Sequence, residues 1–87
     1  MKLNENFISY NVDGENILVC LDSKRFAGVI KLNGTALVIV EKLKNEISRE
    51  KLVEELLERY TGVTAEKLAA DADRVIAQLS SVGAIDQ

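Results

Sequence analysis

The stretch Val29-Ile30-Lys31-Leu32-Asn33-Gly34-Thr35-Ala36 decides the fold, because the chain changes there from strand to helix without an intervening loop. Its first four residues form a short apolar run, which is typical of a β-strand. Asn33 can accept hydrogen bonds from the free N–H groups of a following helical turn, so it is a good N-cap. The stretch therefore predicts a strand over 29–32 and, directly after it, a helix over about 34–43.

Two further strands are predicted upstream of this stretch, over 7–12, which is rich in aromatic and β-branched residues, and over 17–21, which is an apolar run. Asp13-Gly14 lies between them and predicts a hairpin turn, since glycine adopts a positive φ without steric cost. The segment 17–21 is apolar at successive positions, which predicts a strand that is central in the sheet or covered on both faces. The strand over 29–32 is short, as edge strands often are.

Two further helices are predicted downstream, with Ser48 and Thr64 as their N-caps. Gly62 ends the first of them, and Gly83 ends the second, which runs over about 65–82. The predicted apolar stripes of these helices are Leu52, Val53, Leu56, Leu57 and Tyr60, and then Leu68, Ala72, Val75, Ile76, Leu79 and Val82. The sequence thus predicts an α+β fold of order β-β-β-α-α-α.

Length and composition predict a single domain over residues 1–87, of ordinary globular type, with 47% hydrophobic and 29% charged residues. No apolar run approaches the roughly 18 residues of a membrane span, and no signal peptide is evident, so we expect a cytoplasmic protein. The net charge of −3 is mixed along the chain and shows no basic stripe. This disfavours nucleic acid as a partner, because phosphate neutralisation supplies most of that affinity.

Residues suited to catalysis are scarce in this chain. There is no histidine, and the one cysteine, Cys20, lies within an apolar strand-like run, where a buried core thiol is expected. The acidic clusters at 54–58 and 71–73 fall on the polar sides of their helices, and no glycine-rich phosphate loop is present. We therefore predict no catalytic residues, no metal site and no cofactor.

The order and spacing of several short motifs resemble the PqqD-like family, whose members recognise precursors of ribosomally synthesised, modified peptides. The resemblance extends from about residue 11 to the carboxyl end. Its anchors are Gly28-Val29-Ile30-Lys31-Leu32-Asn33, Ala36, Leu52-Val53-Glu54-Glu55-Leu56, Asp71, Val75-Ile76, Leu79 and Gly83-Ala84-Ile85. It implies a winged helix-turn-helix-like fold, in which a three-stranded antiparallel sheet packs on three helices. It also implies a non-catalytic protein that presents a leader peptide to a separate modifying enzyme, such as a radical-SAM enzyme.

The resemblance further implies that the leader adds as a strand beside segment 29–32 and packs over the third helix, a mode in which main-chain hydrogen bonds supply affinity. The matching strand-side candidates are Phe26, Val29, Ile30, Lys31 and Leu32. On the helix the candidates are Arg74, Val75, Gln78 and Leu79. Alternatively, Val29, Leu32, Val75 and Leu79 are core residues, and Lys31, Arg74 and Gln78 are merely solvated.

Three other interpretations stay open at this point. A winged-helix DNA-binding regulator has a similar inventory of elements, but its recognition helix should carry exposed basic and amide side chains. The third helix offers only Lys67, Arg74 and Gln78 among several acids. The chain could also be a structural subunit of a larger complex, and its edge strand could pair with its own copy in a homodimer.

Overall fold

The computed structural model describes residues 1–86. In chain order the elements are β1 (Lys2–Leu3), β2 (Phe7–Val12), β3 (Glu15–Cys20), β4 (Val29–Leu32), α1 (Gly34–Lys42), α2 (Arg49–Arg59), α3 (Ala65–Ser81) and β5 (Ile85–Asp86). The predicted α+β fold, with three antiparallel strands followed by three helices, is confirmed. The short strands β1 and β5 are additions that the sequence did not predict.

The turn between β2 and β3 fixes the register of the hairpin. Asp13 and Gly14 both have positive φ, at 52° and 84°, as a two-residue type I′ turn requires. The amide N–H of Gly14 also donates to the side-chain oxygen of Asn11, at 3.3 Å. Val12 and Glu15 form the closing pair, so every pairing along the hairpin follows from this turn.

The main sheet has the strand order β2-β3-β4, so β3 is central and β4 is an edge, as predicted. Residues that lie directly opposite each other on paired strands share a face of the sheet. The inner face, which packs on the helices, carries the buried residues Phe7, Leu18, Ile30 and Leu32. The outer face carries Ile8, Tyr10, Val12, Glu15, Ile17, Val19, Val29 and Lys31.

Each of the three helices begins at the N-cap residue that the sequence predicted. The side-chain oxygens of Asn33, Ser48 and Thr64 accept hydrogen bonds from backbone N–H groups in the first turn, at 2.8, 3.1 and 3.1 Å. These bonds satisfy donors that a helix leaves free at its amino end. The caps therefore explain where the helical layer starts.

The core lies between the inner face and the helices, and α3 supplies its longest stripe. Its buried members are Leu68, Ala72, Val75 and Leu79. Ile76 and Val82 were predicted on the same stripe, but both are only half-buried. Ile76 is one position away from Val75, about 100° around the helix, so it lies at the margin of the buried stripe. No helix within residues 1–86 has the length and apolar composition needed to cross a bilayer.

A second, two-stranded sheet joins the two ends of the described chain. β1 pairs antiparallel with β5, with Lys2 opposite Asp86 and Leu3 opposite Ile85. The N–H of Leu3 also donates to the carbonyl of Leu43, at 2.7 Å. Strands of two residues have no periodicity to detect, which is why the sequence did not predict them.

Candidate functional site

The candidate site is centred on the free edge of β4. Within residues 1–86, β4 has a hydrogen-bonded neighbour on one side only, and that neighbour is β3. The opposite side of the strand therefore presents backbone N–H and C=O groups that no strand in the described chain pairs. Such an edge is a template on which another extended chain can pair.

The hairpin determines which residues of β3 direct their backbone groups towards β4. In an antiparallel pair, hydrogen-bonded and non-hydrogen-bonded residue pairs alternate. The two-residue turn makes Val12 and Glu15 a hydrogen-bonded pair. The odd-numbered residues of β3 therefore direct their backbone N–H and C=O groups towards β2. Just beyond β3, Leu21 follows the same rule, because its N–H donates to the carbonyl of Asn6, at 2.7 Å. Leu18 and the other even-numbered residues therefore direct their backbone groups towards β4.

The same alternation identifies the residues of β4 that are available at its free edge. Ile30 lies opposite Leu18, so the backbone N–H and C=O groups of Ile30 form hydrogen bonds with β3. The same holds for Leu32, which is two positions further along β4. Val29 and Lys31 direct their N–H and C=O groups the other way, to the unpaired side. The edge thus presents the main chain of Val29 and Lys31.

The side chains of β4 divide in the same way between the two faces. Ile30 and Leu32 are buried in the core, with exposed fractions of 6% and 7%. Val29 is 59% exposed on the outer face, and Lys31 is exposed beside it. The ammonium nitrogen of Lys31 lies 3.8 Å from the Glu15 carboxylate. Both partners are in solvent, where such a pair contributes little to stability.

Phe26, the next strand-side candidate, lies in the loop that leads into β4. Its ring is half-buried and stacks on Phe7, with 6.4 Å between the ring centroids and 25° between the planes. A Cβ atom on Gly28 would come within 3.1 Å of the Phe26 ring, so the glycine lets the ring close over the backbone. Phe26 therefore fixes the approach of the chain to β4 and leaves part of its ring accessible.

The four α3 candidates divide into two buried and two exposed residues. Val75 and Leu79 lie in the core, whereas Arg74 and Gln78 are exposed. The guanidinium of Arg74 lies 3.3 Å from the carboxylate of Asp71, which also accepts a hydrogen bond from Lys67, at 3.1 Å. Arg74 therefore presents a charge that is already partly compensated.

One hydrogen bond joins the strand side of the site to the carboxyl end of α3. The Arg25 guanidinium donates to the carbonyl of Gly83, at 3.2 Å. Arg25 was not among the residues predicted from the sequence.

Nine site residues were predicted from the sequence, and the structure brings four of them, Ile30, Leu32, Val75 and Leu79, together in the core. It leaves Val29 and Lys31 on the outer face, and Arg74 and Gln78 on the exposed side of α3.

Two further groups with reactive or charged side chains are Cys20, in β3, and the Arg49–Asp73 ion pair, in the helical layer. The thiol of Cys20 is half-buried and donates to the carbonyl of Asp22, at 3.3 Å. No group of three potential metal ligands occurs within residues 1–86. Hydrogen bonds from Arg49, at 2.7 and 2.8 Å, lower the pKa of Asp73, and the pair links the start of α2 to α3. This ion pair is exposed and structural.

The outer face of the sheet is a surface that sequence reasoning did not single out. Tyr10 and Val12 are 52% and 50% exposed there, next to the half-buried Ile17 and Val19. The prediction that 17–21 is central is confirmed, but its second face is not covered by any part of residues 1–86. The signal was present in the sequence, because 7–12 carries apolar side chains at 8, 10 and 12.

Comparisons with known proteins give one family and one similar fold. The family model described as Coenzyme PQQ synthesis protein D (PqqD) matches residues 9–85. A solved structure described as TbiB1 in complex with the TbiA(beta) leader peptide is similar, with a TM-score of 0.75 and 20% sequence identity. That similarity covers 99% of this chain and 100% of TbiB1. No curated protein matches the sequence.

Proposed function

The chain belongs to the PqqD family, and on that premise we propose that it binds the leader region of a ribosomally synthesised precursor peptide. The observation that carries the proposal is the free edge of β4, where the backbone groups of Val29 and Lys31 lack a partner strand within residues 1–86. The TbiB1 structure, which has a similar fold, contains a leader peptide, and this supports the same class of ligand. Strand addition is a mode of recognition that uses such an edge.

The main chain of the leader pairs with Val29 and Lys31 in this proposal. Each hydrogen bond contributes only about 0.5–1.5 kcal/mol net, because it replaces bonds that both partners make with water. An edge that offers two outward-facing residues therefore gives weak affinity by itself. Apolar side chains of the leader must add to the binding free energy.

Side chains of the added strand alternate between the two faces of the sheet. Those on the helical side extend towards α3, where Arg74 and Gln78 are exposed and Arg74 can pair with an acidic leader residue. Phe26, in the loop before β4, is partly exposed and offers an aromatic contact. The buried candidates Ile30, Leu32, Val75 and Leu79 shape the site from within the core.

The chemistry of modification belongs, in this proposal, to a separate enzyme, of radical-SAM type. This chain is a single non-catalytic domain over residues 1–87 that holds the leader and presents it. The absence of histidine from the sequence and the placement of Cys20 in the central strand support the assignment. A reactive thiol needs exposure and a neighbouring positive charge.

Two proline variants test the role of the edge. Lys31→Pro removes an N–H that points away from the sheet, so the fold should survive while affinity for the leader falls about tenfold. Ile30→Pro removes an N–H that bonds to β3, so it should destabilise the sheet itself. Fluorescence anisotropy with a labelled synthetic leader peptide measures affinity, and circular dichroism measures the fold.

Lys31→Ala is the matched control, because it removes the same side chain and keeps the N–H group. It should bind the leader within about twofold of the unmodified chain, since the Lys31–Glu15 pair is exposed. Equal affinities for Lys31→Pro and Lys31→Ala would contradict strand addition at β4. Sedimentation of the free chain reports whether β4 instead pairs with a second copy.

A further inference from the structure

The loop that leads into β4 carries an exposed arginine at one end of the proposed leader site. The guanidinium of Arg25 donates to the carbonyl of Gly83, just past the end of α3, at 3.2 Å. This hydrogen bond joins the two elements between which the leader is proposed to lie, the approach to β4 and the end of α3. A leader strand that is paired with Val29 and continues past the start of β4 therefore meets the Arg25 side chain.

Arg25 differs from the other two basic residues of the site in its charge partners. The ammonium of Lys31 lies 3.8 Å from the Glu15 carboxylate, and the guanidinium of Arg74 lies 3.3 Å from that of Asp71. Arg25 has no carboxylate within ion-pair distance among residues 1–86, and the acceptor that it does have there is a neutral carbonyl. A guanidinium has five N–H donors. Most of the hydrogen-bonding capacity of Arg25, and its charge, are therefore available to a ligand.

The loop holds Arg25 in place through a turn built on Asp22. The carbonyl of Asp22 accepts hydrogen bonds from the N–H groups of Arg25 and Phe26, at 3.0 and 3.2 Å. Its carboxylate accepts one from the N–H of Lys24, at 3.1 Å. The next side chain, Phe26, is anchored by its stack on Phe7. Because the loop is already ordered around Arg25, a ligand that binds the guanidinium loses less conformational entropy on binding.

We infer that Arg25 determines the specificity of the site by binding a carboxylate of the leader, an inference that rests on the proposed binding of the leader at β4. An Asp or Glu side chain that reaches the start of β4 joins or replaces the Gly83 carbonyl as the acceptor for the guanidinium. The carboxylate is favoured over the carbonyl because it adds attraction between opposite charges and can accept two parallel hydrogen bonds from the guanidinium. The ligand class is thus a leader with an acidic residue at this end of its paired segment.

A purely structural role for Arg25 is the alternative. The last turn of α3 has no basic residue, and a positive charge near the carboxyl end of a helix is stabilising. The two roles predict different results. A structural Arg25 affects the binding of every leader alike, whereas a carboxylate-binding Arg25 affects only leaders that carry the acidic residue.

The test measures fluorescence anisotropy of the full chain with a labelled synthetic leader peptide, and with copies of that peptide in which one acidic residue at a time is changed to its amide. Arg25→Gln removes the charge and keeps an N–H donor for the carbonyl of Gly83. Lys24→Gln is the matched control, because it removes the same charge from the neighbouring exposed position of the same loop. Thermal unfolding followed by circular dichroism checks that both variants fold.

We expect Arg25→Gln to bind the leader about tenfold more weakly than the unmodified chain does, and to bind one of the amide copies within about twofold of it. Lys24→Gln should change each affinity by less than about twofold, because salt screens a charge without a direct contact. Unchanged leader affinity in Arg25→Gln overturns the inference. An equal loss for the leader and for every amide copy overturns it too, since the role of Arg25 would then be structural. In both cases the unmodified chain still binds the leader, whereas failure of that binding overturns the proposed function and this inference together.

Discussion

The two faces of the three-stranded sheet carry similar side chains in opposite surroundings. Leu18 on the inner face is fully buried, whereas its neighbours Ile17 and Val19, on the outer face, are partly exposed. The difference comes from what lies against each face, because the helical layer covers one and no described residue covers the other. An apolar residue in a strand is thus equally suited to a core or to an interface, and the tertiary arrangement decides which it becomes.

The β4 strand shows how the two faces divide stability from binding. Ile30 and Leu32 direct side chains into the core and backbone groups to β3, so they hold the sheet together. Val29 and Lys31 direct side chains to the outer face and backbone groups to the free edge. The even-numbered residues of β4 therefore stabilise the fold, and its odd-numbered residues are available for binding.

The largest effect that we predict compares adjacent residues on opposite faces of β3. Leu18→Ala should cost about 2–5 kcal/mol of unfolding free energy, because it leaves a cavity between the sheet and the helices. Ile17→Ala removes a side chain of the same size from the outer face and should cost only about 1 kcal/mol. Urea denaturation of both variants measures the difference. Equal losses would mean that the outer face is covered as fully as the inner one.

The smallest effect that we predict concerns an exposed ion pair in the helical layer, which should matter far less than any inner-face side chain. Hydrogen bonds from Arg49 hold the pKa of Asp73 below its usual value of 3.8. Because the pKa of Asp73 is lower in the folded state than in the unfolded state, the ionised carboxylate stabilises the fold at pH values above the unfolded-state pKa. This stabilisation is lost as the pH falls through the folded-state pKa.

Comparing the unmodified chain with Asp73→Asn isolates this contribution. The stability difference between them should be small and constant near neutral pH and should shrink as the pH is lowered below about 4. Urea denaturation at a series of pH values measures it. A difference that grows in acid would contradict the direction of the pKa shift.

Much of the fold could be predicted because its signals are local. The Asp13-Gly14 turn and the caps at Asn33, Ser48 and Thr64 each act within a few residues, and the structure confirms them. The β1–β5 pairing could not be predicted, because it joins two-residue segments at opposite ends of the described chain. Pairing over such a distance depends on the finished core and leaves no periodic pattern in the sequence.

The edge position of segment 29–32 was predicted, but the residues that direct backbone groups to its free side were not. Segment 29–32 was correctly expected at an edge, yet its sequence does not show which residues turn outward. That depends on the register between β3 and β4, and the eight-residue connection over 21–28 carries no turn signal that would fix it. Once the register is known, the two-residue hairpin turn determines the outward residues, Val29 and Lys31.

Amide hydrogen exchange along β4, measured with and without the precursor leader, tests the central claim most directly. In the free chain the N–H groups of Ile30 and Leu32 should exchange slowly, and those of Val29 and Lys31 should exchange fast. Saturating leader should slow exchange at Val29 and Lys31 and leave Ile30 and Leu32 slow. Fast exchange at Val29 and Lys31 in the saturated complex would contradict strand addition at this edge.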